Sequence, residues 1–243
     1  MSLYSEDITS FLQKTGFEDV DKRLVERAFT HSSYSAENNL SEIECYERLE
    51  FLGDAVLKLV MSDILYKKFP ESREGKMTNI RSILVSDDFL FNLAEDLDLK
   101  KYIRISKALE KEGGRNNPSI SACVFEAFLG ALFENGVAVE KISEFLKNLF
   151  KKYIDNLDVY LPKFNAKKIL QEYTQGTNKD RPEYEMLEKT GGENDTTFRV
   201  QVSYNGEVLG IGAGKNKKQA EREAAYEACK KLNLTGEEIC QKQ

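Results

Sequence analysis

The 243-residue chain has no apolar run approaching the roughly 20 residues of a membrane-spanning helix. Its opening, "MSLYSEDITSFLQ", lacks the basic start and apolar core of a secretion signal, so a cytoplasmic location is expected. The four cysteines, Cys45, Cys123, Cys229 and Cys240, are too scattered for paired zinc or redox spacing, which favours reduced thiols over a disulfide framework. There is one histidine, His31 in "FTHSSY"; it falls at a helix end and reads as a structural hydrogen-bonding residue rather than a catalyst. Positive charge is not in excess. A net charge of -6 argues against a nucleic-acid partner without excluding one, because local basic patches matter more than the total. Internal repeats and low-complexity tracts are absent too. What remains is 41% hydrophobic and 31% charged, a soluble globular composition long enough for one large domain or two smaller ones.

Two parts of the chain read differently. Residues 1–157 read as nearly all helix: an opening helix, "DKRLVERAFTHSSY", a long helix around 42–68, "MTNIRSILVSDDFLFNLAEDLDL", and "NNPSISACVFEAFLGALFENG". In the last, Asn117 can cap, Pro118 suits the first helical position and Gly136 can close the helix. "SKALEKEGGRNNP" reads as a polar, glycine-containing loop. Residues 158–164 are expected to link this part to a second, over 165–235, with a tail at 236–243. There "AKKILQEYTQ" fits a short helix capped by Asn165, three segments alternate as strands do, and Asn205-Gly206 is a hairpin signal. A final helix, "KKQAEREAAYEACKKL", presents Ala220, Ala224, Ala225 and Cys229 on one face. The fold class expected is an all-α domain followed by a small α+β domain of order α-β-β-β-α.

The chemistry concentrates in "ERLEFLGDAVLKLVMSDILY", residues 47–66. Glu47, Glu50 and Asp54, spaced i, i+3 and i+7, share one face of a helix otherwise apolar on almost every side. Like charges confined with little water repel, and a divalent cation taking oxygen ligands resolves the conflict. Glu126 is another acid inside an apolar run, "CVFEAFLGALF". If the two helices cross near Asp54 and Glu126, then Glu50, Asp54 and Glu126 could surround one ion. Against this stands the plainer reading of solvated or salt-bridged surface acids, common at such spacings. Gly53 costs roughly 1 kcal/mol in a helix relative to alanine, which points to a close backbone approach there.

The wording of these segments goes further than their spacing. "ERLEFLGDAVL" resembles the signature of the ribonuclease III family, and the resemblance continues in order through "LVERAFTHSSY", "EGKMTNIRSILVS", "GGRNNPSISACVFEAFLGALF", "KKILQEYTQG" and "GKNKKQAEREAAYEACKKL". It implies an endonuclease domain followed by a double-stranded-RNA-binding domain, and a homodimer formed through the nuclease domain. It also implies Mg²⁺-dependent hydrolysis of phosphodiesters in double-stranded RNA to 5′-phosphate and 3′-hydroxyl ends, in rRNA and mRNA processing and decay. By position, Glu50, Asp54 and Glu126 match the family's metal-site and catalytic acids, and Glu47 and Glu74 match outer acids. Phe51 corresponds to an aromatic used across the dimer interface, although an ordinary core phenylalanine is the competing reading.

One position departs from the family pattern. Cys123 stands where the family has an aspartate, three residues before Glu126. A thiol is a soft donor and Mg²⁺ prefers hard oxygen. Three readings compete: water takes the vacated coordination position and the enzyme is slower; the site accepts a softer ion such as Mn²⁺; or catalysis is lost and the chain binds RNA without cutting it. The retained carboxylates favour activity that is kept but sensitive to the metal. A small apolar residue packed in a helix core is the plain alternative for Cys123.

In the second part the resemblance places Lys215, Lys217 and Lys218 at the start of the last helix as phosphate ligands, where the helix dipole and free backbone N–H groups add to their charge. Gln171 and Glu172 match positions that meet the RNA minor groove. Asn194, flanked by Gly192, Glu193 and Asp195, replaces the proline and histidine common in that loop, so only modest affinity is expected there.

Overall fold

The computed structural model describes residues 8–178, 180–191 and 196–234, and its contacts divide into two compact units, Met1–Lys151 and Lys152–Gln243. Asn194 and its neighbours at 192–195, and the tail at 236–243, lie outside the described residues.

The first unit is helical: α1 (Ile8–Thr15), α2 (Lys22–Ala28), α3 (Ser32–Glu37), α4 (Glu47–Lys68), α5 (Glu74–Leu84), α6 (Asp87–Asp96), α7 (Lys107–Lys111), α8 (Pro118–Glu134) and most of α9 (Val139–Ile154). Helix α8 is the axis of the core. From Ile120 to Leu132 every residue is buried except Cys123 and Glu126. Phe128 on α8 meets Phe11, Phe29, Phe17 and Phe145 edge to face, an arrangement that suits the charge distribution of aromatic rings. The caps expected at its ends are present: the Asn117 side chain accepts from the Ser119 N–H, Pro118 opens the helix, and Gly136 follows with φ +76°.

Several boundaries are sharper than periodicity suggests. "DKRLVERAFTHSSY" is broken between α2 and α3, because the His31 N–H donates to the Arg104 carbonyl and the Arg104 N–H to the Phe29 carbonyl. His31 then caps α3, its Nδ1 accepting from the Ser33 N–H at 2.9 Å, as expected of a structural histidine. The long helix starts at Glu47 rather than near 42, since the Tyr46 N–H is tied to the Thr30 carbonyl. "MTNIRSILVSDDFLFNLAEDLDL" is two helices, α5 and α6, parted at Val85 and Ser86. The segment read as a loop holds α7, capped by Ser106, and Arg115, whose guanidinium is fixed by Glu110 and by the Lys100 and Ile103 carbonyls.

The second unit contains α10 (Leu157–Asn178), β1 (Glu183–Thr190), β2 (Thr197–Tyr204), β3 (Glu207–Gly214) and α11 (Lys217–Lys231). Residues 158–164, expected as a linker, are helical, so Asn165 lies inside α10 and caps nothing; Pro162 also lies within it. The antiparallel sheet has the order β1-β2-β3, and Asn205 and Gly206 turn the second hairpin with φ 52° and 79°. Helix α11 lies against β3, its alanines Ala224, Ala225 and Ala228 meeting Val202 and Leu209 in a core that Ala166, Ile169 and Leu170 of α10 complete.

Candidate active site

Two glycines bring the acidic helices together. A Cβ on Gly53 of α4 would fall 1.7 Å from the Glu126 carbonyl oxygen, and one on Gly130 of α8 would fall 2.1 Å from the Leu49 carbonyl oxygen. The helices therefore cross backbone to backbone, which only glycine permits. This crossing sets Glu50 and Asp54 of α4 opposite Glu126 of α8.

The three carboxylates line one cavity of about 680 Å³, together with Glu47 and Asp87 and with the cations Lys58 and Arg81. Glu47 is exposed, whereas Glu50, Asp54 and Glu126 are half-buried. The stripe thus faces an open cleft, and the helix that carries it is far from apolar-buried on every side: Phe51 is 83% exposed, Leu59 61% and Tyr66 71%. That rules out a core role for Phe51 within this chain. Glu74 does not line the cleft; it opens α5 and accepts a 2.7 Å hydrogen bond from Thr78, which does.

Electrostatics record the crowding. Glu126 has its pKa pushed up from 4.5 to about 8, first by burial and then by the charges of Asp54, Glu50 and Asp87, with Lys58 opposing. A carboxyl held this way is short of positive charge. The Cys123 thiol is driven well above the ordinary thiol range by burial, by a hydrogen bond to Glu50 and by the charges of Glu50, Glu126 and Asp87. It is therefore a neutral thiol beside Glu50, not a thiolate. Burial also raises Tyr46, which is hydrogen-bonded to Cys123. Asp54 is engaged by Lys58 at 2.7 Å. Among the described residues no three His, Cys, Asp or Glu side chains are gathered as a finished metal cage.

The donors nonetheless suit a hard divalent ion. They are carboxylate oxygens from two fixed helices, and burial together with neighbouring acids raises the pKa of Glu126, a cost that added positive charge would relieve. Residue spacing did not reveal Asp87, Lys58 and Arg81 as part of the cleft. Asp87, second in "SDDF", has the look of an ordinary helix-start acid, and it accepts from Ser119 of α8. Lys58 had a visible signal, its i, i+4 distance from Asp54.

In the second unit, Asn216 caps α11, its Oδ1 accepting from the Gln219 N–H, and leaves Lys217 and Lys218 in the first turn, where N–H groups have no intrahelical acceptor. Lys215, Lys217 and Lys218 are all exposed, with Lys217 3.9 Å from Glu221. Gln171 and Glu172 are exposed on α10. This surface offers ammonium groups and a helix N-terminus together, the ingredients of a phosphate site. Among the described residues no helix is long and apolar enough to cross a membrane.

Residues 21–153 match a family described as Ribonuclease-III-like, and residues 166–232 match the double-stranded RNA binding motif. A protein named Ribonuclease 3 from Listeria monocytogenes is 42% identical over 221 residues, covering 90% of this chain and 95% of that protein. Another of that name, from Bacillus licheniformis, is 39% identical over 229 residues, 94% of this chain and 91% of its own. A solved nuclease domain of ribonuclease III from Campylobacter jejuni, described as flexible in a region involved in dimer formation, is similar at 34% identity and a TM-score of 0.55, covering 60% of this chain and 97% of that one.

Proposed function

The chain belongs to the ribonuclease III family and is an endonuclease of double-stranded RNA, and from that premise we propose that Glu50, Asp54 and Glu126 hold its metal, Mg²⁺, at the crossing of α4 and α8. The observation carrying this reading is the confinement of the three carboxylates in one cleft, with Glu126 lifted to about 8 by burial and by its neighbours' charge. A bound divalent ion supplies an activated water and neutralises charge that builds on the phosphoryl and leaving oxygens. The chain's own part is to hold Asp54 and Glu126 rigid through the glycine contact, to keep Glu50 oriented by the Cys123 thiol, and to offer Arg81 and Lys58 to the phosphate backbone inside the cleft. Glu47, Asp87 and, one step out, Glu74 add negative charge that raises the local concentration of cations.

The second domain adds grip. Lys215, Lys217 and Lys218 bind phosphates across the major groove, and Gln171 and Glu172 meet the minor groove, so that A-form shape is read with little direct sequence readout. The exposed face of Phe51, Leu59 and Tyr66 on α4 supports a homodimer through the nuclease domain. A processing role in the cytoplasm, on ribosomal and messenger RNA, fits this activity. A non-cleaving RNA binder, the reading raised by Cys123, is not favoured, because the proteins this chain matches over both domains are ribonucleases.

Incubating the protein with an end-labelled duplex in Mg²⁺, Mn²⁺ or EDTA tests this. Metal-dependent cuts on both strands, lost in Glu126→Gln, are expected. Intact strands under every condition, with a retained gel shift, would establish the binder instead.

A further inference from the structure

Helix α4 carries two Asp–Lys pairs of identical spacing and nearly identical length. Lys58 lies 2.7 Å from Asp54, and Lys67 lies 2.8 Å from Asp63. Their exposures are also similar, 52% and 37% for the first pair against 65% and 42% for the second. On helix geometry alone each is an ordinary surface pair that adds little to stability. Their surroundings differ. Lys58 and Asp54 both line the cleft with Glu50 and Glu126, whereas Asp63 and Lys67 do not. One ammonium thus stands inside the cleft that would receive a divalent ion, already against one of its acids.

We propose that Lys58 is an internal competitor for the metal, holding Asp54 in the metal-free protein and releasing it when a divalent ion binds, so that Lys58 sets the ion concentration the site requires. The Asp54 Oδ2 atom accepts from Lys58 in the structure, and the ammonium charge held there repels a cation approaching the same carboxylate. Lysine is suited to the exchange, because its flexible stem lets a half-exposed ammonium swing into water without moving the backbone. This role rests on reading Asp54 and Glu126 as ligands, and the two can fail separately.

The test titrates Mn²⁺ into the full-length wild type and into Lys58→Gln, Lys67→Gln and Glu126→Gln, counting free ion by electron paramagnetic resonance in the absence of RNA. Lys58→Gln is expected to bind about two- to five-fold more tightly, the size of one exposed charge contact. Lys67→Gln should match the wild type, and Glu126→Gln should bind at least about ten-fold more weakly. Thermal melts of the two lysine variants should be alike, so stability does not explain a difference in affinity. Unchanged or weaker binding by Lys58→Gln, or equal tightening by Lys67→Gln, with Glu126→Gln still impaired, overturns the competitor role alone. Wild-type affinity in Glu126→Gln overturns the metal site itself.

Discussion

Replacing Gly53 by alanine adds one methyl group where the neighbouring helix leaves no room. The new Cβ would sit 1.7 Å from the Glu126 carbonyl oxygen, 2.5 Å from its carbonyl carbon and 2.8 Å from the Gly130 nitrogen. A carbon normally meets a carbonyl oxygen at about 3.3 Å, so the helices must part by something on the order of 1.5 Å. Every atom in the way is backbone, and no rotamer change relieves it. Alanine gains about 1 kcal/mol of helix propensity over glycine, against an overpacking cost of about 3 kcal/mol at a site that cannot rearrange. Net destabilisation of about 2 kcal/mol should appear in urea unfolding of the metal-free protein. The same movement carries Asp54 away from Glu126, and a 1 Å misplacement costs on the order of 100-fold in rate. Cleavage of a labelled duplex in Mg²⁺ should fall by about that factor. Gly176→Ala in α10, where an added Cβ meets nothing within 4 Å, serves as the control and should leave cleavage unchanged. If Gly53→Ala proved as stable as the wild type and cut at the wild-type rate, the backbone crossing would not be what positions the carboxylates.

Glu126→Gln should abolish cleavage yet stabilise the metal-free protein at pH 7 by about 1–2 kcal/mol after allowance for its partial exposure, seen as a higher melting temperature in differential scanning calorimetry. The folded-state pKa of Glu126 is raised above its unfolded value; its own contribution to the stability of the fold is therefore complete below about pH 4.5 and is lost as pH rises through about 8, a trend Glu126→Gln should flatten in urea melts between those values. Ion binding at pH 6.5 should release close to one proton per site, and the release should vanish above about pH 9 when measured by calorimetry in buffers of different ionisation enthalpy. Cys123→Asp should strengthen Mg²⁺ binding and speed cleavage; an unchanged rate and affinity would count against placing residue 123 at the metal. Substituting Lys215, Lys217 and Lys218 by alanine together should weaken duplex binding and shallow its salt dependence, by roughly one unit of log-log slope for each phosphate that is no longer neutralised.

Much of this was legible in residue patterns. The acids at 47, 50 and 54, the lone acid in the apolar run of α8 and the glycine beside Asp54 each announced themselves by being costly where they stood. The caps of α8 and the Asn205-Gly206 turn were local signals, and local signals transfer directly to structure. What stayed hidden depends on contacts distant in the chain. The break at Phe29–His31 is made by Arg104, and nothing near residue 30 foretells it. Residues 158–164 read as a linker, yet helix runs through them in α10, Pro162 included. Asp87 belongs to the cleft only because α6 packs beside α8, and Phe51 is exposed because its face of α4 finds no partner among the described residues.

The proposed site puts a divalent ion where α4 and α8 cross. Crystals grown without metal and then soaked in Mn²⁺ would place that ion by its anomalous scattering. The predicted result is a peak within direct coordination distance of Asp54 and Glu126, with Glu50 in the same shell or one water away and Lys58 withdrawn from Asp54. A fully soaked crystal with no peak in this cleft, or with the ion bound elsewhere and the Asp54–Lys58 pair intact, would contradict it.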